Sequence, residues 1–275
     1  MSYRHIQFEV IDKIATLTLN RLEARNALDT AMRNEVADVV ARLREGEDGK
    51  DLDVRALVIR GAGGAFSAGG DVKAMTKIRS AAVIRHRLID AQRWHANLWN
   101  LEMPVIAAVG GPAFGAGFSL ALTADFLLAS PQASFCSVFA RMGLIPDLGC
   151  IHALPRMVGL QKAKDIMFSA RVIGAEEGKL LGFVYDVVAH EQLDAAALAL
   201  ARRFTDASMT AIGLTKVLLN KSFETDQRTM AELEAAAQGA AANTPEHREA
   251  VEAFLARKPL AYPGFGPADW KGTGT

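Results

Sequence analysis

The sequence predicts an α/β fold, a βα-rich body over residues 1–200 followed by an all-helical segment over residues 201–275. Three features predict it. A period-two hairpin opens the chain. Two short apolar runs, residues 56–59 and 105–109, each lead into a glycine-rich loop and then a helical stretch. Beyond Pro155 nearly every segment carries helical periodicity.

Residues 6–11 and 14–19 alternate polar and apolar across the turn at Asp12-Lys13, a hairpin signal. Asp29 is placed as a helix N-cap. Behind it Met32, Val36, Val39, Val40 and Leu43 recur at helical spacing until Gly46. A long helix is expected from about Ser80 to Met103, ended by Pro104. An apolar helix over 116–123 follows the second glycine loop, with short strands at 126–129 and 133–136. Helices are predicted at 160–169, 175–181, 193–204, 211–223, 230–242 and 246–256, interrupted by one strand at 183–188. The proline-rich tail from Pro259 is expected to be extended.

Composition narrows the function. Lys+Arg and Asp+Glu both number 31, so a net charge of zero gives no bulk attraction for nucleic acid or an anionic membrane. Two cysteines make no disulfide framework, and the opening residues lack the apolar run of a signal peptide, so a reducing, cytoplasmic setting is expected. Residues 104–124 carry no charge. Pro104, Pro112 and the glycines at 110, 111, 115 and 117 would break a spanning helix, so a strand, a turn and a buried helix are predicted there. The histidines show no ligand spacing, and no metal is expected.

The candidate chemistry lies in two glycine-rich turns, AFSAGGDVKAM (residues 65–75) and AAVGGPAFGAGFSLALTAD (residues 107–125). Glycine lets the backbone approach a ligand and leaves N–H groups to be aimed at it. The second turn feeds a helix N-terminus, which favours negative charge. Judged singly, each loop fits a ligand-free tight connection equally well. Phosphate motifs fail: Asp71, Val72 and Lys73 follow Gly70 where a P-loop ends in Gly-Lys-Ser/Thr, and Leu120 stands where a dinucleotide loop needs a small third residue. Gly117-Phe118-Ser119-Leu120-Ala121 is similar to a nucleophile elbow. Ser119, however, sits well into the helix, and the partners it could use, Asp147 and His152, are expected one turn apart on a single helix.

In order and separation the two loops resemble the paired oxyanion-hole segments of the crotonase (enoyl-CoA hydratase/isomerase) superfamily. LNRLEARNAL (residues 19–28) and VEAFLARKP (residues 251–259) extend the resemblance over nearly the whole chain. It implies a ββα superhelix core with a C-terminal helical oligomerisation segment, assembled as a homotrimer or dimer of trimers. It also implies an acyl-CoA substrate with no further cofactor. Carried over by position, the N–H groups of Gly70 and Ala116 would hold the thioester oxygen, and Glu23, Ala24, Arg25, Ala68, Asp71, Val72, Lys73 and Arg257 would line the CoA path. The family's two hydratase glutamates fall on Ser119 and Phe139, which cannot serve as general acid and base. What remains is Asp147. Some isomerases of the family place a catalytic aspartate there, and the context from Val138 to Asp147 is similar to the phenylacetyl-CoA epoxide/enoyl-CoA isomerases. The resemblance therefore favours an isomerase with Asp147 as acid/base and Val138, Phe139 and Ser119 shaping the acyl pocket. A hydratase, or a silent acyl-CoA-binding homologue, is the alternative. Local sequence alone reads Asp147 as a helix N-cap and Asp71 as the cap of the next helix.

Overall fold

The computed structural model describes residues 3–45, 52–72, 76, 80–262 and 264. Gly46 and Lys73 lie outside the described residues, as does most of the tail, so the expectations placed on them are untouched.

The larger sheet begins with β1 (Ile6–Ile11) and β2 (Ile14–Leu19), antiparallel with Ile11 opposite Ile14. Asp12 and Lys13 both take left-handed backbone, φ 49° and 66°, the two-residue turn whose twist matches its strands. Four further strands add in parallel: β3 (Ala56–Gly61), β4 (Val105–Val109), β6 (Phe126–Ala129) and β9 (Asp186–Val187), in the order β1-β2-β3-β4-β6-β9. A smaller mixed sheet joins β5 (Pro112–Phe114), β7 (Ser134–Cys136) and β8 (Ile173–Gly174).

The continuous apolar runs are explained by burial on both faces. In β3, Leu57 and Ile59 enter the main core, where α1 (Thr30–Glu45), α2 (Ala81–Trp99) and the wholly buried α3 (Ala116–Ala121) supply Val36, Leu98 and Phe118. Ala56 and Val58 face the other way and meet Leu193, Ala197 and Leu200 of α7 (Leu193–Arg202). β3 and β4 are parallel neighbours, so the loops at their C-terminal ends emerge side by side.

Asp29 caps α1 as predicted, Oδ1 accepting from Met32 N–H at 2.8 Å. α2 stops at Trp99 rather than Met103, because Pro104 disfavours helical backbone before it and residues 100–103 form short turns instead. The strand expected at 183–188 shrinks to the two residues of β9. Gly182 turns left-handed (φ 93°), and the Phe183 and Val184 N–H groups bond back to Gly178 O, closing the end of α6 (Ala175–Leu181). β5, read as loop, is a strand. α4 (Cys150–Val158) carries Pro155 within it.

Of the remaining helices, α5 (Leu160–Ser169) and α8 (Met209–Lys221) dock on the body, whereas α9 (Gln227–Ala242) and α10 (Pro245–Leu255) bury none of their own side chains. α8 is held through Lys216, whose ammonium donates to Asp125 at 2.7 Å and to Met103 O at 3.0 Å. Among the described residues no helix is long and apolar enough to cross a membrane. Residues 104–124 form the predicted strand, turn and buried helix, with the small strand β5 between the turn and the helix.

Candidate active site

The site is built from backbone laid against backbone. The first loop pairs with the second through Phe66 N–H and Ser67 N–H to Pro112 O and Phe114 N–H to Ser67 O, between 2.9 and 3.1 Å. No side chain fits between them. A Cβ on Gly111 would stand 2.1 Å from Gly64 O, and one on Gly117 would stand 2.5 Å from Ser67 O. Gly69 has φ 96° and lies against the second loop, where an added Cβ would be 2.6 Å from Phe114 O and 3.3 Å from Ala116 N. Gly70 N–H, next along the chain, and Ala116 N–H, first in α3, donate to nothing among the described residues.

A third segment locks the first loop. Arg25 and Asn26 are left-handed (φ 49° and 58°), and the buried Asn26 side chain donates to Ala62 O at 2.8 Å and Ala65 O at 2.9 Å. Its Oδ1 accepts from Arg21 N–H at 2.9 Å, while the Ser67 hydroxyl donates to Asn26 O at 2.7 Å. Ala68 N–H to Arg25 O and Leu28 N–H to Gly69 O complete the seam. Glu23, Ala24, Arg25 and Ala68 therefore lie together, Glu23, Arg25 and Ala68 exposed to solvent. Asp71 accepts from the Arg21 guanidinium at 2.8 Å, and Val72 beside it is exposed. Neither Asn26 nor Ser67 stood out in the sequence, although Asn26 lies within LNRLEARNAL and Ser67 within AFSAGGDVKAM; their burial arises only when the distant turns pack together.

Val138 and Phe139 close over Gly115, within 3.1 and 3.9 Å of where its Cβ would stand. Ser119 is buried in α3, and its hydroxyl donates back to Gly115 O at 3.3 Å. No histidine attends it: His152 Nδ1 faces Glu224 at 3.3 Å, and His95 Nε2 meets the Thr123 hydroxyl at 2.8 Å. That excludes the nucleophile-elbow arrangement. Ser119 instead faces the thiol of Cys150, which burial pushes up to about 12.

Asp147 lies near Cys150, and its charge is felt there. It precedes α4 rather than sharing that helix with His152, since Leu148 and Gly149 turn left-handed (φ 44° and 75°) between them. It is no side-chain N-cap either: Gly149 holds that position, and the Asp147 Oδ1 atom is buried without a hydrogen-bond partner. Burial pushes its carboxyl above the ordinary range, opposed in part by the charge of Arg33. A cavity of about 480 Å³ reaches it, lined also by Gln92, Pro146, Gly149, Ile151, His152 and Arg156. The turn carrying Asp147 is braced from below, where His95 leaves no room for a side chain at Gly149. Arg257 is exposed beyond α10 and meets none of these residues.

Residues 9–264 match the family model described as enoyl-CoA hydratase/isomerase. The chain belongs to that family, the crotonase superfamily. It is 34% identical over 269 residues to a probable enoyl-CoA hydratase of Rhodobacter capsulatus, covering 96% of this chain and all of that one. It is 31% identical to the 1,2-epoxyphenylacetyl-CoA isomerase of Escherichia coli, covering 91% and 95%. Among solved structures, an enoyl-CoA hydratase/isomerase from Cupriavidus metallidurans CH34 superposes with a TM-score of 0.90 at 41% identity, covering 97% and 98%. Membership makes the chain an acyl-CoA enzyme of the crotonase fold, and hydratase names predominate among its relatives.

Proposed function

We propose that this family member isomerises an enoyl-CoA, moving a proton between C2 and C4 through a dienolate. The observation that carries this is the buried, unpartnered Oδ1 of Asp147, among the described residues the one acidic side chain lining the cavity. A 1,3-shift needs a single base that takes a proton from one carbon and returns it to another. Desolvation raises the affinity of that carboxyl for a proton toward what such a shuttle requires. The thioester oxygen, negative in the dienolate, would accept from Gly70 N–H and Ala116 N–H, donors that need no reorganisation because the loops already fix them. Glu23, Ala24, Arg25, Ala68, Asp71, Val72 and Lys73 would follow the CoA moiety outward, with Arg257 near its phosphate end. Val138, Phe139 and Ser119 would wall the acyl group.

A second reading, hydration, is favoured by the names of most relatives. It must work without carboxylates at Ser119 and Phe139. Incubating the protein with 3-enoyl-CoA and with 2-enoyl-CoA, followed by mass spectrometry, separates the two. Isomerisation leaves the mass unchanged, whereas hydration adds one water. Steady formation of 3-hydroxyacyl-CoA would replace the first reading with the second. We further propose that residues 201–275 form an oligomerisation segment for a homotrimer or dimer of trimers, and that the enzyme works in the cytoplasm.

A further inference from the structure

Half-buried arginines in this chain are generally matched by carboxylates: Arg21 with Asp71 at 2.8 Å, Arg60 with Asp194 at 2.6 Å, Arg171 with Glu177 at 2.7 Å. Arg33 of α1 and Arg87 of α2 depart from this pattern. Both are half-buried, both donate to the same Thr30 hydroxyl at 3.3 Å, and neither forms an ion pair among the described residues. Two guanidinium groups converging on one neutral oxygen leave positive charge unanswered where solvent is partly excluded. Asp29 faces Arg33 but is shared with Arg21 at 3.6 Å, and Arg33 Nε is already turned to the Asp29 carbonyl at 3.2 Å. Asp147 also faces Arg33, beyond ion-pair distance.

The position of the pair suggests its ligand. Thr30 lies two residues after Leu28, which bridges to Gly70 in the first loop. Gln92, about one and a half turns beyond Arg87 on α2, lines the cavity that reaches Asp147. The charge of Arg33 is felt at Asp147 and that of Arg87 at Arg33, so the pair stands toward the Asp147 end of the site, on helices separate from the 21–26 turn assigned above to CoA.

We infer that Arg33 and Arg87 form a carboxylate-binding subsite, so that the acyl chain of the substrate ends in a carboxylate. The inference rests on the acyl-CoA reading proposed above. It deepens that reading by naming the substrate class: an enoyl-CoA monoester of a dicarboxylic acid. A planar carboxylate offers two oxygens to two forks of N–H donors, the geometry in which charge-assisted hydrogen bonds are strongest. The same arginines would offset the repulsion between an anionic acyl group and ionised Asp147.

Matched pairs of ligands test it. Glutaconyl-CoA and 2-pentenoyl-CoA have the same chain length and differ in the terminal carboxylate; glutaryl-CoA and pentanoyl-CoA are their saturated, unreactive counterparts. Calorimetry should show glutaryl-CoA binding at least about tenfold tighter than pentanoyl-CoA, the scale of one charge-assisted bond. The ratio of kcat/KM for glutaconyl-CoA over 2-pentenoyl-CoA should fall by about tenfold or more in Arg33→Gln and Arg87→Gln, and Arg87→Lys should recover part of it. Equal binding of the two saturated esters overturns the inference even if isomerisation is established. A loss that is the same for both enoyl esters overturns it too, because a role in CoA binding or folding would act on both alike. If the saturated esters separate as expected but neither enoyl ester turns over, the subsite stands and the isomerase reading falls.

Discussion

Asp147 carries a cost that the fold accepts. Its Oδ1 is buried with no donor, and burial raises its carboxyl above the unfolded value. A carboxyl whose pKa is higher in the folded state binds its proton more tightly there. The native state is therefore favoured at low pH, and that advantage is lost as pH rises through the unfolded and then the folded value. Asp147→Asn should raise the thermal midpoint at pH 7, and the gain should vanish below the carboxylate range, as calorimetry across pH would show. The same substitution should lower kcat by about 10²-fold or more if the side chain moves the proton. A variant that is both more stable and inactive is the signature of a strained functional group. Unchanged turnover would remove Asp147 from the mechanism. In the wild type, kcat/KM should fall as pH drops through the raised pKa, because the shuttle must begin as a base.

At the scale of elements, the decisive parts are two glycine turns with no room for side chains between them and a third, 21–26, whose buried Asn26 side chain pins the first. Asn26→Ala would strip donors from Ala62 O and Ala65 O in a buried seam, and should destabilise the protein by about 1–3 kcal/mol in chemical denaturation. Gly69→Ala adds a Cβ 2.6 Å from Phe114 O at a left-handed φ, which forces the loops apart. Turnover should collapse by a larger factor than affinity for CoA itself. This is where sequence reading succeeded and where it stopped. The strands β3 and β4 and the glycine turns after them were legible because buried parallel strands are unbroken apolar runs and glycine marks close approach. β5 was not legible: its three residues, Pro112, Ala113 and Phe114, become a strand through partners distant in sequence, Ser67 and Ser134–Cys136. The candidate loop residues could be named in advance only through the resemblance to the family, since each loop by itself fits a ligand-free connection equally well. The convergence of Arg33 and Arg87 on Thr30 could not, because it depends on how α1 and α2 pack.

For the whole molecule, two kinds of C-terminal helix must be distinguished. α8 is tied to the body through Lys216, whose ammonium meets Asp125 and Met103 O while Gly213 lies flush against Glu102. Lys216→Met should cost about 2–3 kcal/mol, less than a wholly enclosed pair because Asp125 keeps a solvent-facing edge, and thermal unfolding would register it. No residue of α9 or α10 is buried within the chain, and Phe223, just before α9, and Phe254 and Leu255 of α10 are each more than 70% exposed. Ending the chain after Ser222 should leave most of the monomer's unfolding transition intact while lowering the assembly mass in light scattering. A truncated chain that keeps its assembly state would show that another surface joins the subunits.

The crossing of the two glycine turns has one more implication. A peptide N–H is the same in every residue except proline, so changing one codon at position 70 or 116 alters little about a donor's strength unless the loop itself shifts. An acid such as Asp147 is a single codon, open to replacement or relocation. If those two amides hold the thioester as proposed, the grip would pass almost unchanged from one member to the next, while the reaction that follows it would be free to be rewritten.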